Sequence, residues 1–170
     1  VGITMPTRSL ERWINDGEQL QKKLTEAKCT VDLQYADNKV DQQISQIQNQ
    51  IAGGAKILVI ASIDGTALSP VLEEAAKQKI KVIAYDRLIN KTPNVDYYAT
   101  FDNYKVGTLQ GNFLKEQLKL DSATTPINFE PFAGSPDDNN ATFFFNGAME
   151  TLQPYIDKGV LNVKSGQTGF

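Results

Sequence analysis

The sequence predicts an α/β fold, a parallel sheet flanked by helices on both faces, and three observations carry that expectation. Strand-like and helix-like segments alternate from the first residue, the connections between them are short, and residues 56–61 (KILVIA) form an unbroken apolar run. Such a run suits a central strand covered on both faces, and parallel neighbours need crossover connections, which repeated strand–helix units provide.

The elements follow in order. Residues 1–5 are short and apolar, 6–9 carry turn chemistry, and Leu10, Trp13, Ile14, Leu20 and Leu24 recur at helical spacing. Residues 30–35 alternate like a strand, and Val40, Ile44, Ile47 and Ile51 mark a helix stopped by Gly53 and Gly54. After the 56–61 strand, Leu68, Val71, Leu72, Ala75 and Ala76 supply a third helical stripe, and 81–85 (KVIAY) is a fourth strand. A looser stretch leads to a fifth strand at 97–101 and a helix over 106–118.

The polar residues 121–126 read as a boundary, so the expected division is an N-terminal lobe over 1–122 and the first part of a second lobe over 123–170. That second part holds strands at 127–132 and 161–164 around a helix at 140–155, too little to bury both faces of a sheet. Apolar surface left in water costs about 25 cal/mol per Å². The expectation is therefore a truncated chain, or one completed by a complementing chain or self-association; an α/β domain with a small extension is the alternative.

Composition excludes several functions. The formal net charge is -3 with scattered Lys and Arg, so no basic stripe for nucleic acid is present. There is no histidine and a single cysteine, Cys29, which removes the usual zinc sites, His-based triads and an intramolecular disulfide. No phosphate-cradling glycine pattern follows a strand, and no apolar run approaches the roughly 20 residues of a membrane span. No metal, cofactor or catalytic residue is expected. The chain opens directly on a strand, which is compatible with a signal or anchor segment removed before this numbering begins.

In an open parallel sheet, ligands collect at the carboxyl ends of the strands. The loops there carry Thr7, Arg8 and Arg12; Ser62, Asp64 and Thr66; Asp86 and Arg87; Asp102 and Asn103; and, in the second part, the run 134–140 (GSPDDNN). These suit a polyol, whose hydroxyls both donate and accept: carboxylates take their protons, Arg donates in a planar fork, and Asn does one of each. Asp86 and Arg87 would point to different sides of one rigid strand end. The bland reading is a set of surface ion pairs, each worth under about 1 kcal/mol.

In 134–140, Ser135 or Asp137 could cap the following helix with Pro136 in its first turn, while Asp138, Asn140 and then Asn139 exceed what a cap needs and are read as ligand-facing. Trp13 lies on the apolar stripe of its helix and is assigned to the core, as is at least one of Phe143, Phe144 and Phe145.

On these residues the chain resembles the bacterial periplasmic sugar-binding proteins, especially the multiple-sugar-binding and xylose-binding class. VGITMPTRSLERWINDG, LVIASIDGTALSPVL, KVIAYDRLI, DYYATFDNYKVG and FAGSPDDNNATFFFNGAM carry the likeness, which covers essentially the whole chain. The resemblance implies two lobes joined by three hinge strands and a monosaccharide such as xylose, glucose, galactose or arabinose held between them. It also implies delivery to the membrane subunits of an ABC-type permease or, in some relatives, presentation to a membrane sensor. It places Arg12, Asp86, Arg87, Asp138 and Asn140 on sugar hydroxyls, with Arg8 as a lesser candidate, and a first hinge crossing near 121–126. A periplasmic or lipid-anchored cell-surface location and no enzymatic activity follow from it. The ligand domain of a sugar-responsive regulator is the alternative, distinguished upstream of Val1 by a helix-turn-helix in place of a signal peptide.

Overall fold

A computed structural model describes residues 1–169. The chain groups into two compact units, Val1–Thr100 and Phe101–Phe170.

The first unit runs β1 (Gly2–Met5), α1 (Glu11–Glu26), β2 (Asp32–Tyr35), α2 (Val40–Ala52), β3 (Ile57–Ile60), α3 (Ser69–Lys77), β4 (Lys81–Tyr85) and β5 (Tyr97–Ala99). All five strands are parallel, in the order β2-β1-β3-β4-β5. Strand order therefore reverses between β1 and β3, and the loops after those strands diverge there. Side chains alternate faces along a strand, and β3 shows it: Leu58 and Ile60 join the core beneath α2 and α3, with Ile47, Ile51, Leu68 and Leu72. Val59 joins the opposite core beneath α1, with Ile3, Met5, Trp13 and Ala61. Both faces of the sheet are covered, as the apolar run at 56–61 implies.

Two buried glutamines of α2 tie helix to sheet. The Gln50 amide donates to the carbonyls of Ile3 and Asp32, each at 3.2 Å, and accepts from the Thr4 hydroxyl. Gln43 donates to the Ala61 carbonyl at 2.9 Å and accepts from the Ile63 N–H at 3.0 Å. The loop after β3 is thereby anchored at its root, and its tip is joined to the loop after β4 by the Asn90 N–H on the Gly65 carbonyl at 2.6 Å. Buried amides satisfied on both ends fix geometry as well as stability, because any partner left unpaired would carry its full desolvation cost.

The second unit contains α4 (Asn103–Gln117), a 3-10 turn at Leu120–Ser122, β6 (Ile127–Phe129), α5 (Asn139–Asp157) and β7 (Leu161–Val163), with β6 and β7 paired in parallel. Its small core gathers Leu120, Leu152 and Leu161. The expected division after residue 122 falls inside this unit, because α4 packs along α5. Three glycines make that possible. A Cβ on Gly107 would lie 2.1 Å from the Phe144 carbonyl oxygen, one on Gly147 2.2 Å from that of Tyr104, and one on Gly111 2.7 Å from that of Ala148. The two backbones touch, and no side chain larger than hydrogen fits between them.

The phenylalanine triplet also departs from expectation. Phe143 is exposed and Phe144 and Phe145 are half-buried, so none is core; the buried stripe of α5 runs instead through Ala141, Gly147, Met149 and Leu152. Small residues there admit the α4 backbone that a phenylalanine would exclude.

Candidate functional site

The carboxyl ends of β1, β3, β4 and β5 build a charged cluster in the first unit. Asp86, immediately after β4, is 8% exposed, and its Oδ1 accepts from Arg12 Nη2 at 2.5 Å. Arg12 reaches it from the first turn of α1, and its Nε faces the Asp16 carboxylate, one turn along the same helix, at 3.4 Å. Burial works against the charge on Arg12; the bond to Asp86 and the negative charges of Asp86 and Asp16 outweigh it, and its pKa rises above the ordinary value. Burial, followed by the charge of Asp16 and a hydrogen bond to it, also raises the Tyr85 phenol above its usual range, so that group stays a neutral donor.

Arg87 completes the cluster. Its Nη1 donates to the Ser62 carbonyl at 3.2 Å, tying the loop after β4 to that after β3. The Arg12 and Arg87 guanidinium carbons lie 4.6 and 5.4 Å from the centre of the Trp13 ring, which is 3% exposed. Trp13 is core, as its helical position predicts, and it is also the aromatic platform on which two site arginines rest. The Asp86 carboxylate thus bonds to α1, and the Arg87 guanidinium to the loop after β3. Arg8 sits over the Tyr35 ring at 4.2 Å, held by a different residue from the other two arginines.

The backbone at Asp86 is unusual. Its φ is +63°, and the Arg87 N–H bonds back to the Tyr85 carbonyl at 2.7 Å, making Asp86 the centre of a three-residue turn. A non-glycine residue pays for such a conformation, and surrounding structure must hold it. Here β5 and the residue after it do so: the Asp86 N–H donates to the Ala99 carbonyl at 2.8 Å, while its carbonyl accepts from the Tyr98 hydroxyl at 3.2 Å and the Thr100 hydroxyl at 3.0 Å.

In the second unit the candidates crowd the start of α5. Asp138 is the N-cap, its side chain accepting the Asn140 N–H at 3.0 Å, so the cap is neither Ser135 nor Asp137. Asn140 is buried, and its Oδ1 accepts from Asn103 Nδ2 at 2.8 Å, which joins the first turns of α4 and α5. Asn139 is half-buried, and its amide nitrogen has no hydrogen-bond partner among the described residues.

Of the seven candidates, Arg12 and Arg87 meet on the Trp13 ring and Asp86 bonds to Arg12; Asp138, Asn139 and Asn140 share one helix end. Asp16, Tyr98 and the Asn103 bond were not foreseen. Only Asp16 had a sequence signal, its spacing of four from Arg12 on one helix face; the others depend on which loops meet.

A family model described as a periplasmic binding protein domain matches residues 1–169. The multiple sugar-binding periplasmic receptor ChvE of Rhizobium radiobacter is 57% identical over all of this chain and 48% of its own length. The D-xylose-binding periplasmic protein of Escherichia coli is 39% identical over 98% of this chain and 48% of its own length. Among solved structures, an ABC transporter solute binding protein from Clostridium phytofermentans with bound β-D-glucose matches 99% of this chain and 52% of its own, at 56% identity and a TM-score of 0.97. The chain thus spans about half the length of the curated relatives it matches. With the order of its parallel strands, the helices on both sheet faces and the match along its whole described length in agreement, the chain belongs to the periplasmic binding protein domain family.

Proposed function

We propose that the protein carrying this chain captures a monosaccharide outside the cytoplasm and hands it to the membrane subunits of an ABC-type permease. The observation that supports this best is the cluster of Arg12, Asp86 and Arg87 on Trp13, at the strand ends where α/β sheets take ligands. A carboxylate flanked by planar cations offers a sugar hydroxyl an acceptor for its proton and donors for its oxygen. Asp138, Asn140 and Asn139 are read as sugar-facing groups of the second unit by itself, and the buried Asn139 amide nitrogen gains a partner in a sugar oxygen. Arg8 contributes at the margin. D-glucose and D-xylose are the first sugars to try, since relatives are named for them.

A chain of this family needs no catalytic group for that task, and we assign it none. The relative from Rhizobium is named a receptor, which favours a second use of the same capture: presentation of the bound sugar to a membrane sensor. The setting is the periplasm, or the outer cell surface with a lipid tether.

Two structural readings belong to the same proposal. The packing of α4 on α5 favours a first crossing between lobes at 100–102 over one at 121–126. Further polypeptide, from the same gene product or a complementing chain, covers the apolar groove of about 580 Å³ lined by Leu109, Phe113, Phe129, Pro131 and Phe132. Phe132, 94% exposed there, is out of place in water.

The test is a melting experiment on the complete gene product with a panel of pentoses and hexoses. A ligand at 100 times its dissociation constant stabilises by about 2.7 kcal/mol. At least one aldose is expected to raise Tm and to be recovered unchanged. No response to any sugar contradicts the proposal, and conversion of the sugar contradicts the absence of catalysis.

A further inference from the structure

We infer that Tyr98 and Thr100 are positioning residues that aim the Asp86 carboxylate; the inference rests on the sugar-capture reading and goes beyond it. Asp86 has the left-handed φ of +63°, a conformation that costs a side-chain-bearing residue free energy and that bonds from its neighbours stabilise here. Its carbonyl oxygen has two lone pairs, and two hydroxyls, one from β5 and one from the residue after it, occupy it: Tyr98 at 3.2 Å and Thr100 at 3.0 Å. With its N–H on the Ala99 carbonyl at 2.8 Å, both backbone polar groups of Asp86 are pinned by three consecutive residues of the neighbouring strand segment.

The direction of the Asp86 Cα–Cβ bond follows from that pinned backbone. Rotating the peptide out of its turn would swing the carboxylate away from Arg12 Nη2, with which it now makes a 2.5 Å contact. A glycine would accept the φ freely but has no carboxylate to aim, so the Tyr98 and Thr100 hydroxyls supply what glycine supplies elsewhere. Neither hydroxyl needs to touch sugar for this. They act through Asp86, and their removal should lower affinity while leaving the rest of the sheet intact.

The experiment uses the complete gene product, with D-glucose and D-xylose as probes, calorimetry for affinity and thermal melting without sugar for stability. Thr100→Val and Tyr98→Phe each delete one hydroxyl with little change of shape. Each is expected to weaken binding several-fold and the pair by at least tenfold, with Thr100→Ser, which keeps the hydroxyl, within about threefold of the parent. In an Asp86→Ala background the same substitutions are expected to add nothing, since coupled groups are not additive. Affinity within twofold of the parent in the double variant, or a full tenfold loss persisting in the Asp86→Ala background, overturns the positioning role. An Asp86→Ala protein that binds as well as the parent overturns the sugar-site reading instead.

Discussion

Arg12 and Asp86, 74 residues apart in sequence, meet at 2.5 Å and bind the first helix of the sheet to the end of its fourth strand. Arg12 makes that contact while stacked on Trp13 and facing Asp16. One half-exposed arginine thus serves an acid on each side and an aromatic ring beneath.

This arrangement depends on a planar fork, which lysine lacks. Arg12→Lys is expected to weaken sugar binding by about tenfold, nearly as much as Arg12→Ala. Because the Asp86 side chain is only 10% exposed, Arg12→Ala takes a bond from a buried carboxylate and is expected to cost about 1–3 kcal/mol of stability, and Arg12→Lys less. Calorimetry beside a urea melt checks both; a lysine variant with parental affinity would show that charge alone suffices.

The glycine contacts between α4 and α5 make a second prediction. Gly107→Ala or Gly147→Ala would place a methyl group about 2 Å from backbone oxygen, so a helix must move. Overpacking of this kind costs about 1–3 kcal/mol or more. Alanine is otherwise the better helix former, so an unchanged or raised Tm would show that the helices are not in backbone contact.

Asn103→Leu removes the donor to the buried Asn140 Oδ1 and leaves that oxygen without its partner on α4. The expected loss is about 1–3 kcal/mol, read by chemical denaturation. A neutral result would mean that the two helix starts are independent of this bond.

Acid stability follows from three carboxylates. The Thr66 N–H lowers the pKa of Asp64, Lys81 lowers that of Asp96, and the Tyr155 hydroxyl lowers that of Asp121. A carboxylate depressed in the folded state stabilises fully above its unfolded value, here about 3.8, and loses that contribution as pH falls through the lower folded value. With no histidine, no side chain of ordinary pKa titrates between about pH 5 and 8. The urea midpoint should therefore hold from pH 7 to about 5 and fall below about 4; a decline already complete by pH 5 would contradict these assignments.

The sheet was legible because its signals are local. KILVIA announces a buried strand, and Ile44, Ile47 and Ile51 announce the face of α2 that meets it. The boundary was not, since residues 121–126 look like a linker while the deciding feature is the fit of Gly107 against Phe144 and of Gly147 against Tyr104, some forty residues apart and invisible to periodicity. The site divides the same way. Asp86 and Arg87 stand out as charges at a strand end, but that Arg12 would reach Asp86, or that Tyr98 and Thr100 would hold its backbone, depends on which loops the strand order makes neighbours. Asp138 shows the converse: the sequence reading set it apart from the cap, and the structure makes it the cap of α5.

The most direct measurement is a calorimetric titration of the complete gene product and its Asp86→Ala variant with D-glucose and D-xylose. Binding by the parent and a loss of more than tenfold in the variant is the expected result, in keeping with a stranded hydrogen-bonding partner at about 1–3 kcal/mol. Equal affinity in the two proteins would remove Asp86 from the site and contradict the reading built on it.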